Sequence, residues 1–212
     1  IIYDGYLAAG LDVDKDEFRQ SYVFAERYLA TNRLIFPQHN FHQLMEIKIG
    51  LELGDLAERG VITAADVDKY RAPIALYCYE QARATVHESA RVISHLAESY
   101  PMVLVSNFYG NIESVLLDMG IRNYFRGIIE SATVGVRKPD ARIFSLGVLA
   151  LGLKPDEVLV VGDSYRKDIA PALSLGCKAV WIKGKGWGNE QDPDDPGVPV
   201  ITHLSQLPDL LK

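Results

Sequence analysis

Val158-Leu-Val-Val-Gly-Asp-Ser-Tyr-Arg-Lys-Asp168 is the stretch on which the reading of the whole chain turns. Four apolar residues in a row, three of them β-branched, spell a strand buried on both faces. The run stops at Gly162, and two carboxylates, Asp163 and Asp168, follow within six positions. An open α/β sheet places its ligand beyond the carboxyl ends of its parallel strands. Two acids held close together repel unless a cation or a proton lies between them. The stretch is therefore expected to supply half of a metal site. A plainer reading stands beside this one: Asp163-Ser164 as a helix cap, with Asp168 in a first turn favoured by the helix dipole.

Working outward from this strand, the same rhythm recurs on both sides. Ile93, Leu96, Ala97 and Tyr100 make one helical face, and Met102–Val105 reads as a strand. A helix over Ile112–Met119 closes at Gly120, and a short strand covers Gly127–Glu130. The helix after Pro139 carries Ile143, Leu146 and Ala150 and stops at Gly152. After Asp168 come a helix ending near Gly176 and the strand Ala179–Ile182, and the chain closes with a helix or turn over Leu204–Leu211. Strands alternating with single helices predict a parallel, Rossmann-like sheet with helices on both faces.

Residues 1–87 have a different character, almost entirely helical. Asp14 with Glu17 predicts a capped helix from Lys15 to about Arg33, whose apolar face is Phe18, Tyr22, Ala25 and Leu29. Helices follow over about Phe41–Arg59 and, capped by Thr63, over Ala64 to about Arg83 with a bend or break near Pro73. With Ile2–Ala9 these make four helices joined by short links, as in a compact bundle. The expected fold is thus α/β in two domains: 1–87 a four-helix bundle, 88–212 the α/β core.

A chain of 212 residues can bury cores of this kind. Its net charge of −6 argues against a broad basic surface for nucleic acid. Cys78 and Cys177 lie far apart in regular apolar patterns, which suits a reducing, cytoplasmic setting rather than a disulfide framework. Neither a membrane-spanning apolar run nor a signal-peptide pattern is present.

Three further groups could carry chemistry. Ser106 and Asn107 directly follow the strand Met102–Val105, at the same edge of the sheet as Asp163. Their hydroxyl and amide suit a phosphate oxygen, although a Ser/Asn turn after a strand would look the same. Lys138 precedes Pro139, which pins its backbone; a lysine there can offset nearby carboxylates and bind phosphate, or be one of a solvated Arg-Lys pair. Ser106 is not in a Gly-x-Ser-x-Gly elbow, which speaks against a serine hydrolase. Gly184, Gly186 and Gly188 have the spacing of a dinucleotide loop without the helix that should follow.

The combination is more telling than its parts. Ser-Asn after one strand, Lys-Pro about 30 residues later, and Gly-Asp-x4-Asp after another strand resemble the haloacid dehalogenase superfamily. The helical segment resembles the cap of its phosphatase-like members. The resemblance implies that Ser106 hydrogen-bonds the transferred phosphoryl group, with Asn107 beside it. It implies that Lys138 stabilises nucleophile and phosphate, that Asp163 is the principal Mg²⁺ ligand, and that Asp168 supports it. It further implies attack by an aspartate on phosphorus, and hydrolysis of the resulting aspartyl-phosphate by water. The substrate implied is a small phosphorylated metabolite, with no nucleic acid or membrane partner and the oligomeric state left open.

One element of the family pattern is missing. Its first motif, Asp-x-Asp-Gly-Thr after an N-terminal strand, supplies the nucleophile, and Tyr3-Asp4-Gly5-Tyr6-Leu7 is only an echo that puts Ile2 in that position. In the family this strand lies between those corresponding to Met102–Val105 and Val158–Val161. Without it two buried strands would show unpaired edges, so the expectation is that further residues precede Ile1. Two other functions stay open: a metal-free 2-haloacid dehalogenase, against which Asp163 and Asn107-Phe108 speak, and an inactive binding protein that kept the fold.

Overall fold

The computed structural model describes residues 1–184 and 192–211; the Gly184–Gly188 reading falls mostly outside them. The chain divides into two compact units. One is Ile1–His87 with Tyr109–Gly120, the other Glu88–Phe108 with Ile121–Lys212. No helix among the described residues is long and apolar enough to cross a membrane.

The first unit contains α1 (Ile2–Ala8), α2 (Lys15–Thr31), α3 (Phe41–Glu58), the first part of α4 (Ala64–Ser99) and α5 (Ile112–Asp118). The Asp14 carboxylate caps α2 by accepting from the Asp16 N–H at 2.8 Å. Asn40 and Gln43 form a reciprocal capping box on α3. Both devices satisfy backbone donors that a helix start leaves unpaired. Helix α2 packs on α3, and the pair buries Phe18, Ala25 and Leu29 with Leu44, Ile49, Leu53 and Leu56.

Helix α4 departs from the sequence expectation: it is one continuous helix of 36 residues, running through Pro73. The physical reason is local. Gln81–Ser99 contains neither Gly nor Pro and is rich in helix formers such as Ala82, Ala84, Glu88, Ala90 and Arg91. Pro73 removes one intrahelical hydrogen bond, which does not by itself end a helix with this many others.

A set of polar groups is buried inside this helical unit. Glu52 is fully inaccessible; its Oε2 accepts from the Tyr6 hydroxyl at 3.3 Å, and its Oε1 has no partner among the described residues. Lys48, one turn earlier on α3, pairs with Glu26 and lies 4.2 Å above the Tyr22 ring. The Tyr109 hydroxyl meets both Glu26 oxygens, at 2.9 and 3.0 Å. Burial pushes the Glu52 acid from 4.5 up to about 7, against the opposing Lys48 charge and the Tyr6 hydrogen bond.

The second unit is α/β. Strand β1 (Val103–Ser106) pairs in parallel with β2 (Gly127–Glu130), Ser106 opposite Glu130. Strands β3 (Leu159–Gly162), β4 (Lys178–Ile182) and β5 (Val200–Ile201) form a second parallel sheet in that order. Helices α6 (Ser131–Val134), α7 (Arg142–Leu151) and α8 (Ala170–Ser174) connect them. The strand at the centre of the sequence reading starts and ends one residue later than expected. Strand β5 and helix α6, of two and four residues, are too short to show a period.

Where the sequence pattern predicts one sheet, the described residues form two pieces. β1 pairs only with β2, and β3 only with β4. A cavity of about 860 Å³ is lined by Val103, Leu104 and Val105 on one side and Leu159, Val160 and Val161 on the other, with Phe144 and Val148 of α7. This is where the family resemblance places a further strand.

Candidate active site

The carboxyl ends of β1 and β3 carry the residues that the sequence singled out. Ser106 is the last residue of β1, and Asn107 follows it. Gly162 ends β3, Asp163 follows, and Asp168 sits in a single π-helical turn, Tyr165–Ile169, before α8. Such turns are often found at functional positions.

Lys138 ties the two strand ends together. Its backbone N–H donates to Asn107 Oδ1 at 2.8 Å, and its carbonyl accepts from Asn107 Nδ2 at 3.0 Å. Its ammonium donates to Asp168 Oδ1 at 2.6 Å. The pair is well shielded, the side chains being 17% and 5% exposed, so its electrostatics are little screened by water. The ammonium has three donors and Asp168 takes one, leaving others for an anion.

Asp168 is also committed on its other oxygen, where Oδ2 accepts from the Ser164 N–H at 3.1 Å. Its closeness to β3 requires glycine at position 162. A Cβ on Gly162 would lie 2.3 Å from Asp168 Cβ and 2.7 Å from its Cγ, a separation that no packed pair of carbons adopts. Downstream of Lys138, Asp140 accepts from the N–H of Arg142, the first residue of α7, at 2.9 Å. The Arg142 guanidinium beside it holds the Asp140 carboxyl below the usual carboxylate range.

The five predicted site residues therefore take different parts. Lys138 and Asp168 form a buried ion pair. Asn107 spends both ends of its amide on the Lys138 backbone, so its side chain holds Lys138 in place rather than facing an anion. Ser106 makes no side-chain hydrogen bond among the described residues, and Asp163 is exposed with an unengaged carboxylate. Trp181 of β4, which sequence reasoning missed, donates from Nε1 to the Asp163 carbonyl at 3.0 Å. A tryptophan inside a buried strand needs an N–H partner, and that was the available signal.

A Mg²⁺ ion needs hard oxygen ligands and keeps several waters. Asp163 fits as its carboxylate ligand. Asp168, with both oxygens engaged, fits as the group that fixes the surroundings. Among the described residues no cluster of three or more acids, histidines or cysteines could hold a metal, so an ion here would depend on water and substrate oxygens.

Residues 6–176 match the family model of the haloacid dehalogenase-like hydrolases. The chain is 30% identical over 148 residues to a phosphoserine phosphatase of Thermus thermophilus, covering 69% of this chain and 54% of that protein. It is 25% identical over 207 residues to a glyceraldehyde 3-phosphate phosphatase of Methanothermobacter thermautotrophicus, covering 96% and 85%. The chain thus spans about half the length of the first relative and most of the second. A solved dehalogenase superposes with a TM-score of 0.65 over 99% of this chain and 91% of its own; at 17% identity that likeness speaks to the fold alone.

Proposed function

The chain belongs to the haloacid dehalogenase-like hydrolases, and we propose that it is a Mg²⁺-dependent phosphatase acting on a small phosphorylated metabolite. The observation that carries this reading is the bridge made by Lys138. Its backbone is clamped by Asn107 after β1 and its ammonium by Asp168 after β3. A cation fixed in this way, with the Ser106 hydroxyl and the Asp163 carboxylate uncommitted among the described residues, suits a phosphoryl group better than a neutral substrate. The phosphatases among its relatives support the same class.

In this reading Ser106 donates to one phosphoryl oxygen and Lys138 offsets negative charge on another. Asp168 holds the ammonium so that it does not swing away when the anion leaves. Asp163 would hold Mg²⁺, which would draw charge from the phosphoryl oxygens. The attacking carboxylate of an aspartyl-phosphate route is assigned to none of these residues: Asp168 is spent on Lys138, and Asp163 serves the cation. The helical unit takes the part of a cap that excludes water while the reaction proceeds.

The test is phosphate release by the full-length protein from a panel of phosphorylated metabolites, with Mg²⁺ and with EDTA. Release that EDTA abolishes and that Asp163→Asn reduces at least a hundredfold is expected. Turnover no higher than that of Asp163→Asn, or halide release from a 2-halo acid that EDTA leaves unchanged, would refute the reading.

A further inference from the structure

Asp163 poses a positional problem. Its carboxylate is exposed and hydrogen-bonded to nothing among the described residues, yet a metal ligand must be held in direction before the ion arrives. The orientation has to come from the backbone, and the peptide unit joining Asp163 to Ser164 is fixed on both ends. Its carbonyl accepts from Trp181 Nε1 at 3.0 Å, and its N–H donates to Asp168 Oδ2 at 3.1 Å. We infer that Trp181 is a positioning residue for Asp163, and that its indole N–H holds the metal-binding carboxylate in place without touching the metal or the substrate. This inference rests on the reading of Asp163 as the Mg²⁺ ligand.

Trp181 is built for the task. It is 2% exposed and stands opposite Gly162 in the β3–β4 register, so its side chain reaches one residue beyond the end of β3. Its ring packs with Ile169 and Ala179 and meets the Tyr165 ring edge-on, centroids 5.6 Å apart at 64°. Two strands and the π-helical turn therefore fix where the N–H points. An indole nitrogen only donates, and a backbone carbonyl only accepts, so the pairing has one sense. The bond leaves both Asp163 carboxylate oxygens available, which a hydrogen bond to the carboxylate itself would not.

A tryptophan that merely fills the core predicts a loss of stability with no effect on metal affinity. The experiment is a calorimetric titration of the full-length protein with Mg²⁺ alone, beside urea denaturation of the metal-free protein. Trp181→Phe keeps an aromatic ring and removes the donor; Tyr165→Phe removes a hydroxyl from the same cluster and leaves the donor. Loss of one such hydrogen bond corresponds to about a fivefold weaker apparent Mg²⁺ affinity, expected for Trp181→Phe and absent in Tyr165→Phe. If Trp181→Phe does not fold, benzothienylalanine at position 181, with sulfur in place of the N–H, gives the same comparison. Unchanged Mg²⁺ affinity in the folded position-181 variant, or equal weakening in Tyr165→Phe, overturns the inference and leaves the proposed function standing. Absence of Mg²⁺ binding by the wild-type protein overturns the proposed metal site, and the inference with it.

Discussion

Glu52→Gln should stabilise the helical unit at alkaline pH and leave it nearly unchanged in acid. The folded protein raises this acid from 4.5 to about 7, chiefly through burial. The folded state therefore holds a proton that the unfolded chain has released. The sign follows: stability from this group is complete below pH 4.5, falls as pH rises toward 7, and levels off above it. At 1.36 kcal/mol per unit, the shift amounts to roughly 3 kcal/mol lost by pH 8. Glutamine has the shape of the neutral acid, can still accept from Tyr6, and carries no charge to bury. Its expected gain at pH 8 is about 3 kcal/mol, the whole of that loss, because the shift already contains the opposing effect of the Lys48 ammonium. Urea denaturation followed by circular dichroism at pH 5, 6, 7 and 8 measures this, since Trp181 belongs to the other unit and its fluorescence reports on that one instead. Parallel pH profiles for wild type and Glu52→Gln would refute the argument, as would a less stable variant at pH 8.

Other consequences concern the second unit. Lys138→Met leaves the Asp168 carboxylate shielded and without its ion partner, and should lower stability by about 3 kcal/mol in urea denaturation followed by tryptophan fluorescence, most of it restored in Lys138→Met/Asp168→Asn. Gly162→Ala puts a carbon 2.3 Å from Asp168 Cβ; a loss of about 1–3 kcal/mol with near-complete loss of phosphate release is expected, and wild-type turnover would refute the contact's importance. Asn107→Ala removes both bonds to the Lys138 backbone. It should reduce kcat/KM at least tenfold, and a steady-state comparison with wild type will show it.

The fold was legible where a residue's neighbours in sequence decide its conformation. Asp14 and Thr63 marked the starts of α2 and α4, and Gly120 and Gly152 stand where helices end. The long helix α4 was not legible at its middle, because Pro73 is a strong local signal for a break whereas the stretch beyond it carries only the weak propensities of Ala, Arg and Glu. At the candidate site, spacing brought out Ser106, Asn107, Lys138 and Asp163, since each lies next to a strand or a proline, and Asp168 through its five-residue distance from Asp163. Spacing could not tell what each side chain does there. Asn107 has the right chemistry for an anion, and only three dimensions show its amide turned to the Lys138 backbone. The same holds for Glu52, Lys48 and Glu26, which on a helical pattern look like solvated charges. The burial of Glu52 and Lys48, and the pairing of Lys48 with Glu26, follow from the faces of α2 and α3 that meet, which no local pattern states.

The cavity between β1 and β3 also has a consequence in the time domain. In parallel strands successive backbone N–H groups point alternately to either side. β4 is flanked by β3 and β5, while β1 and β3 each have one strand neighbour among the described residues. Amide hydrogen exchange should therefore alternate along Val103–Ser106 and Leu159–Gly162, every second position exchanging fast. Lys178–Ile182 should be slow where both neighbours reach it, at Trp181. Any extended segment that filled the cavity would erase the alternation in both strands at once, and the speed at which it disappeared would be the rate of that segment's arrival.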